Sequence, residues 1–164
     1  MPVPRMKSRA GLRSGVLPLL LMAVLAAGCR TVLPLPPADF SEPGWRVQHG
    51  QAVWKPSSSR PELAGDLLLA TNANGNFFVQ FSKIPYPLAT AQVSGGQWQI
   101  EFGADEYSWH GRGTPPDRFA WFQLPRALLA AGVGASWKIT CPTSHSWRLE
   151  NPRTGETLEG EFFQ

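Results

Sequence analysis

The chain has 164 residues and a formal net charge of +3, but that charge is unevenly distributed. Four of its fifteen Lys and Arg residues, and none of its twelve Asp and Glu residues, precede Cys29. The part after Cys29 is therefore nearly neutral, so its overall charge does not indicate a nucleic-acid surface or an electrostatic membrane patch. This part is long enough for one small domain with its own hydrophobic core.

Residues 1–28 have the pattern of a secretory signal peptide. Basic side chains come first, an apolar run begins at Val16, and small residues precede Cys29. The run is shorter than the ~20 residues that a membrane-spanning helix needs, and Pro18 interrupts it. We therefore expect this segment to be removed rather than to remain as a transmembrane anchor.

The sequence Leu25-Ala26-Ala27-Gly28-Cys29 resembles the lipobox of bacterial lipoproteins. The resemblance implies cleavage after Gly28, acylation of Cys29 and attachment to a membrane through this N-terminal lipid. Arg30 follows the cysteine. In Gram-negative lipoproteins an Asp at this position favours retention at the inner membrane. Because position 30 is Arg and not Asp, the resemblance implies attachment at the periplasmic face of the outer membrane.

Residues 29–43 contain the predicted lipidated cysteine followed by a proline-rich tether, with prolines at positions 34, 36, 37 and 43. Such a segment favours extended, semi-rigid conformations at ~3.1 Å per residue. It would hold the domain away from the bilayer. The alternative is a partly ordered strand that packs on the edge of the domain.

Residues 44–164 are predicted to form a single β-rich domain. Apolar and polar residues alternate with a period of two, which is typical of an antiparallel sheet packed on one face. The clearest candidate strands are 45–54, 66–71, 77–82, 97–102, 147–150 and 157–162. Turn-forming Asn, Gly, Ser and Pro residues separate them, at 72–76, 94–96 and 151–155.

The segment 114–131 departs from this pattern and predicts helix. Thr114 is the candidate cap, a proline follows at the first position, and Asp117 lies three residues on. Pro125 cannot lie deep in a regular helix without kinking it. We therefore expect one kinked helix or two short ones across Pro116–Ala131, with enough apolar side chains to plug a curved sheet.

Catalytic and metal-binding motifs are absent from the sequence, so we expect a protein that is not an enzyme and that needs no cofactor or metal. The histidines (His49, His110, His145) have no ligand-spaced neighbours. Asp105, Glu106 and His110 form the one acid–base cluster, and it lies in a predicted hairpin where charged residues are ordinary. Glu156, Glu159 and Glu161 are interpreted as a solvated strand face, or alternatively as a patch for basic groups.

Cys141 has no partner if Cys29 is acylated. It follows an alternating segment, Trp137-Lys138-Ile139-Thr140, in which the odd positions are mostly apolar. We therefore expect a buried strand position for Cys141 rather than a reactive thiol.

An apolar segment bracketed by prolines, Ile84-Pro85-Tyr86-Pro87-Leu88, is the second unusual feature. Proline cannot donate to a sheet ladder, so regular pairing is expected to fail there. Ile84, Tyr86 and Leu88 are then candidates for contact with a membrane or an apolar cargo. The alternative is a proline-bent strand crossing packed under the helix.

The stretch Gly75–Phe102, with its aromatic strand, proline-containing bend and Trp-bearing strand, resembles the early strands of the LolA/LolB lipoprotein-localisation family. The segment Pro115–Gly134 together with Trp137 resembles the helix that lies inside that family's sheet. The resemblance implies an open antiparallel half-barrel with a short helical plug, whose concave face accepts acyl chains. The candidate cavity-lining residues are Phe81, Trp98, Ile100, Phe119, Phe122 and Trp137.

Two functions of different class follow. The first is an outer-membrane-anchored lipoprotein that binds acyl chains or lipoprotein cargo as a carrier or receptor. The second is an anchored β-domain that binds a protein or a cell-wall glycan, as an assembly subunit or hydrolase inhibitor. A hollow apolar interior favours the first, and an interior filled with the chain's own Trp and Phe side chains favours the second.

Replacing Cys29 by Ala tests the predicted processing. Because acylation needs the cysteine thiol, Cys29→Ala is expected to abolish the acyl mass and leave an unprocessed or unanchored protein. Intact-mass analysis of the wild-type and variant proteins measures this. A wild-type mature chain that begins elsewhere and carries no acyl mass would contradict the prediction.

Overall fold

A computed structural model describes residues 33–103, 107–129 and 131–163. The predicted signal peptide and the expectations for Cys29, Arg30, Asp105 and Glu106 lie outside the described residues. Val32–Gln164 forms one compact unit, and every described core residue lies within it. We therefore expect this unit to fold without the residues that precede it.

The described residues of this unit form nine strands: β1 (Trp45–Lys55), β2 (Leu63–Asn72), β3 (Phe77–Lys83), β4 (Tyr86–Ser94), β5 (Gln97–Phe102), β6 (Tyr107–Arg112), β7 (Lys138–Thr140), β8 (Ser146–Asn151) and β9 (Glu156–Phe162). They form one curved antiparallel sheet in the order β6-β5-β4-β3-β2-β1-β9-β8-β7. The sheet is not closed into a barrel, so β6 and β7 are its two edges. This confirms the predicted mainly β fold with an open half-barrel architecture.

The alternation seen in the sequence places one apolar set of side chains on the concave face. In β3, Phe77, Val79 and Phe81 are buried while their neighbours are half-buried. Ile100 of β5 and Leu158 of β9 are fully buried on the same face. Burying one face in this way is what fixes the strand register, because a shift by one residue would turn the apolar set toward solvent.

One helix, α1 (Ala120–Leu128), covers the concave face and packs against β3, β4, β8 and β9. The prediction that the helix begins near Thr114 was wrong, because Phe119 is the N-cap residue and no side chain caps the helix. Pro125 lies inside the helix, so the chain forms one helix rather than two short ones, over a shorter range than Pro116–Ala131. Burial explains this start: the first six helical residues, Ala120 to Pro125, are all buried against the sheet and flanking loops.

Asp117, predicted to act near the helix start, instead joins the two segments that flank α1. Its backbone carbonyl accepts a 2.6 Å hydrogen bond from Trp137 Nε1, and its carboxylate contacts Arg126 at 3.0 Å. Gln123, which is fully buried, accepts a 2.8 Å hydrogen bond from the backbone N–H of Gly134. These bonds satisfy buried polar groups and tie the chain before and after α1 to the helix itself.

The described part of the proline-rich segment lies against the sheet. Leu35 donates its backbone N–H to Gln99 Oε1 at 2.7 Å, and the Gln92 side chain donates to the Pro36 carbonyl at 3.2 Å. Phe40 packs edge-on against Phe78, with ring centroids 5.2 Å apart. Over these residues the segment follows the packed alternative, although it forms no strand.

The prediction that Cys141 occupies a buried strand position was wrong. This residue is an exposed, free thiol, because β7 ends at Thr140 and Cys141 begins the loop that leads to β8. The alternating pattern continued one residue further in the sequence than the strand pairing does.

Among the described residues, no helix is long and apolar enough to cross a membrane.

Truncating Trp121 tests the role of the helix as the cover of the sheet. Trp121 is 1% exposed and stacks on Phe81, with ring centroids 5.2 Å apart. Trp121→Ala is expected to lower the free energy of unfolding by ~3–5 kcal/mol, because it leaves a large cavity in the core. Urea unfolding of Val32–Gln164 measures the change.

Trp121→Phe is the matched control for this truncation. Trp121 Nε1 is buried without a hydrogen-bond partner among the described residues. The smaller ring keeps aromatic packing and removes this unpaired donor, so the loss should be far smaller than for alanine. Equal losses for the two variants would contradict the packing argument.

Candidate functional site

The proline-bracketed segment forms the tip of the hairpin between β3 and β4. Ile84, Pro85 and Tyr86, which we call the hairpin tip, include two strongly exposed apolar side chains: Ile84 is 82% exposed and Tyr86 is 66% exposed. Leu88 is half-buried and packs against the core. The three predicted contact residues therefore divide, with two facing solvent and one supporting the fold.

Strand pairing at the hairpin tip differs from the expectation. Pro87 lies within β4 opposite Ser82, and Tyr86 lies opposite Lys83. The register shifts between Phe81 and Ser82, which is how the ladder accommodates the missing proline donor. The apolar tip is thus carried on a paired hairpin rather than on a loop held off the sheet.

Five aromatic side chains lie at the same end of the sheet and form what we call the aromatic rim: Trp54, Phe102, Tyr107, Trp109 and Phe119. Trp54 stacks on Phe102 at 5.7 Å, and Tyr107 stacks on Trp109 at 6.1 Å. Trp109 also contacts Phe102 and Phe119 at centroid distances of 6.1 and 5.6 Å. The rim is therefore one continuous aromatic surface.

The outer part of the aromatic rim is open to solvent. Tyr107 is 62% exposed and Trp109 is 37% exposed, because they lie on β6, the free edge of the sheet. The hairpin tip is close by in the fold, since Gly103, which follows Phe102, donates its backbone N–H to the Leu88 carbonyl at 3.1 Å. One end of the sheet thus exposes four large apolar side chains.

Glu156 extends the aromatic rim on its other side. Its Oε1 accepts a 3.0 Å hydrogen bond from Trp54 Nε1. Burial raises the pKa of Glu156 to about 7, because desolvation disfavours the carboxylate more strongly than the hydrogen bond from Trp54 favours it. The interpretation of Glu156 as part of a solvated face was therefore wrong.

The predicted cavity-lining residues meet on the concave face, but they fill it. Phe81, Ile100 and Phe122 are 0% exposed, and Trp137 is almost as deeply buried. Trp98 and Phe119 are half-buried and each packs against Phe122. The side chains of α1 occupy the concave face, where a preformed cavity for acyl chains was expected.

A groove with a volume of about 640 Å³ lies elsewhere, across β2, β1, β9 and β8. Its lining includes Asp66, Glu159 and Glu161 together with Arg148, which contacts Glu159. Ala52 and Trp147 of the core also line it, but no residue of α1 does. We call it the outer groove.

A metal-binding cluster does not form in the described part of the chain. No group of three His, Cys, Asp or Glu residues there has a geometry that could hold a metal ion. Of the predicted acid–base cluster, only His110 is described, and it is exposed on β6. The features left to define a site are apolar contact and charge.

Sequence reasoning identified the hairpin tip but missed the exposed half of the aromatic rim. Tyr107 and Trp109 alternate with Ser108 and His110, a pattern that equally predicts a buried strand face. Only the position of β6 at the sheet edge decides that they are exposed. Trp54 and Glu156 are 102 residues apart in sequence, so their hydrogen bond has no local signal.

Glu156 predicts a specific dependence of stability on pH. Because its pKa is raised from 4.5 to about 7 on folding, the folded protein binds this proton more tightly than the unfolded chain does. Its contribution to stability is therefore greatest below pH 4.5 and is lost as pH rises through 7. Glu156→Gln should remove this loss. The difference in the free energy of unfolding between the wild-type and variant proteins should therefore change by on the order of 3 kcal/mol between pH 4 and pH 8. Urea unfolding at several pH values between 4 and 8 measures it, and an unchanged difference would contradict the assignment.

Comparison with known proteins assigns no family to the chain. No protein-family model matches it, and no curated protein matches its sequence. The resemblance to lipoprotein-localisation proteins therefore rests on the sequence pattern.

Proposed function

We propose that this protein is an outer-membrane-anchored lipoprotein that acts as a carrier or receptor for acyl chains or lipoprotein cargo. In this proposal Cys29 carries the anchoring lipid and the folded domain contacts the membrane with its apolar end. The domain binds and transfers; it is not an enzyme and uses no metal or cofactor. The observation that carries the proposal is the exposure of Ile84 and Tyr86 beside an open aromatic rim.

The clustering of exposed apolar side chains supports the proposed contact with a membrane. Ile84, Tyr86, Tyr107 and Trp109 are large, and none of them lies in the hydrophobic core. Scattered exposed apolar residues are common, but several gathered at one end of a sheet are typical of a surface for a membrane or an apolar partner. Tyr and Trp also suit the membrane interface, because their rings are apolar while their O–H and N–H groups can remain hydrated.

The filled interior constrains where an acyl chain binds in this proposal. Trp121 and Phe122 are nearly or completely buried, so a chain inside the sheet would have to replace the packing of α1. The aromatic rim needs no such rearrangement, because its side chains are already half-buried or exposed. The rim is therefore the proposed site of first contact, next to the hairpin tip.

A second candidate function is supported by the outer groove. Its volume of about 640 Å³ lies within the range of ligand sites, and its carboxylates would favour a basic group on a protein or glycan partner. By the criterion of a hollow or filled interior, the filled concave face favours this second class. It ranks second because it leaves the exposed side chains of Ile84, Tyr86, Tyr107 and Trp109 without a role.

Ile84→Glu tests the proposed membrane contact. Because Ile84 is exposed, the substitution should leave thermal stability of Val32–Gln164 nearly unchanged. It should strongly reduce association with phospholipid vesicles, since a carboxylate enters hydrocarbon only at a large desolvation cost. Vesicle flotation and a melting curve on the same protein measure both effects.

Leu88→Glu is the informative counterpart. Leu88 packs against the core, so this variant should lose stability first, whatever happens to vesicle association. Wild-type protein that fails to associate with vesicles, or an Ile84→Glu variant that associates as well as wild type, would contradict the proposed function.

A further inference from the structure

Arg118 lies at the aromatic rim, immediately before Phe119. Its guanidinium carbon is 4.6 Å from the centroid of the Phe119 ring and 5.9 Å from that of Trp109. The residue is exposed. These ring contacts hold a cation beside the same aromatic surface that the hairpin tip adjoins.

No carboxylate of the described residues pairs with Arg118. The neighbouring acid, Asp117, contacts Arg126 at 3.0 Å instead. The described Arg–carboxylate pairs involve Arg126 and Arg148. The N–H donors of Arg118 therefore have no acceptor among the described residues, while its guanidinium carbon lies over the Phe119 and Trp109 rings.

A guanidinium held over aromatic rings suits an oxyanion. A cation–π contact leaves the N–H donors of the group available, and two of these donors match the two oxygens of a phosphate. The surrounding apolar side chains match the hydrocarbon to which a lipid phosphate is attached. Lys83, exposed at the base of the hairpin tip, adds a second positive charge at this end.

We propose that Arg118 binds the phosphate of an anionic phospholipid and so gives the apolar end of the domain a preference for negatively charged membranes. The inference rests on the proposed membrane contact and deepens it by naming the lipid class. The rim and hairpin tip provide association with any bilayer, and Arg118 provides discrimination among headgroups.

The test compares vesicles of phosphatidylcholine with vesicles that also contain phosphatidylglycerol. Wild-type Val32–Gln164 should associate more tightly with the anionic vesicles. Arg118→Gln should reduce this preference by about fivefold, as expected for one cation near a charged surface. It should leave association with pure phosphatidylcholine and the melting temperature unchanged, because the side chain is exposed.

Arg112→Gln is the matched control. Arg112 is also exposed, but it lies at the far end of β6, opposite Gln97. Arg112→Gln therefore has the same net charge as Arg118→Gln and leaves the aromatic rim unaltered. Preserved headgroup preference in Arg112→Gln supports a specific site at Arg118. An equal loss of headgroup preference in both variants would overturn the inference and indicate non-specific electrostatic attraction. No loss of preference in Arg118→Gln would overturn it as well, because Arg118 would then make no contribution. Wild-type protein that associates with both vesicles without preference would overturn this inference alone, whereas failure to associate with either would overturn the proposed function as well.

Discussion

The apolar concave face of an unclosed sheet must be covered, and the rest of the structure depends on how α1 meets this requirement. A closed barrel would bury that face by itself, whereas this nine-stranded sheet ends at β6 and β7. Trp121, Phe122 and Leu124 supply the missing layer and are at most 1% exposed. Because the apolar surface removed from water is the main favourable contribution to folding, the short helix stabilises the sheet more than its length suggests.

The position of α1 is held by polar contacts outside the helix as well as by its apolar side chains. Gln123 binds the backbone of Gly134, and the carbonyl of Asp117 binds the indole of Trp137. A buried amide without such a partner would be costly, so these bonds favour one placement of the helix over neighbouring ones. The same arrangement brings Phe119 and Arg118 to the free edge of the sheet, where the aromatic rim lies.

The proposed function uses the part of the molecule that α1 does not cover. Toward the centre of the sheet the helix fills the concave face, while toward β6 the rings of Tyr107 and Trp109 remain open. Stability and binding are therefore separated along the sheet. Substitutions under the helix should act on folding, and substitutions of the exposed residues Ile84, Tyr107 and Trp109 should act on membrane contact.

The sequence by itself determined the mainly β class, the alternation in β3 and β5, the Gly and Asn turns, a helical segment near Pro125, and Ile84 and Tyr86 as unusual apolar residues. These features are local, since a period of two or a turn residue acts over a few neighbours. Only the tertiary structure decided that the interior is filled, that Leu88 supports the core, that Glu156 is partly desolvated beside Trp54, and that β6 is an edge. Each of these depends on contacts between residues far apart in the chain, and exposure at an edge is fixed by which strand lacks a neighbour, which no local pattern encodes.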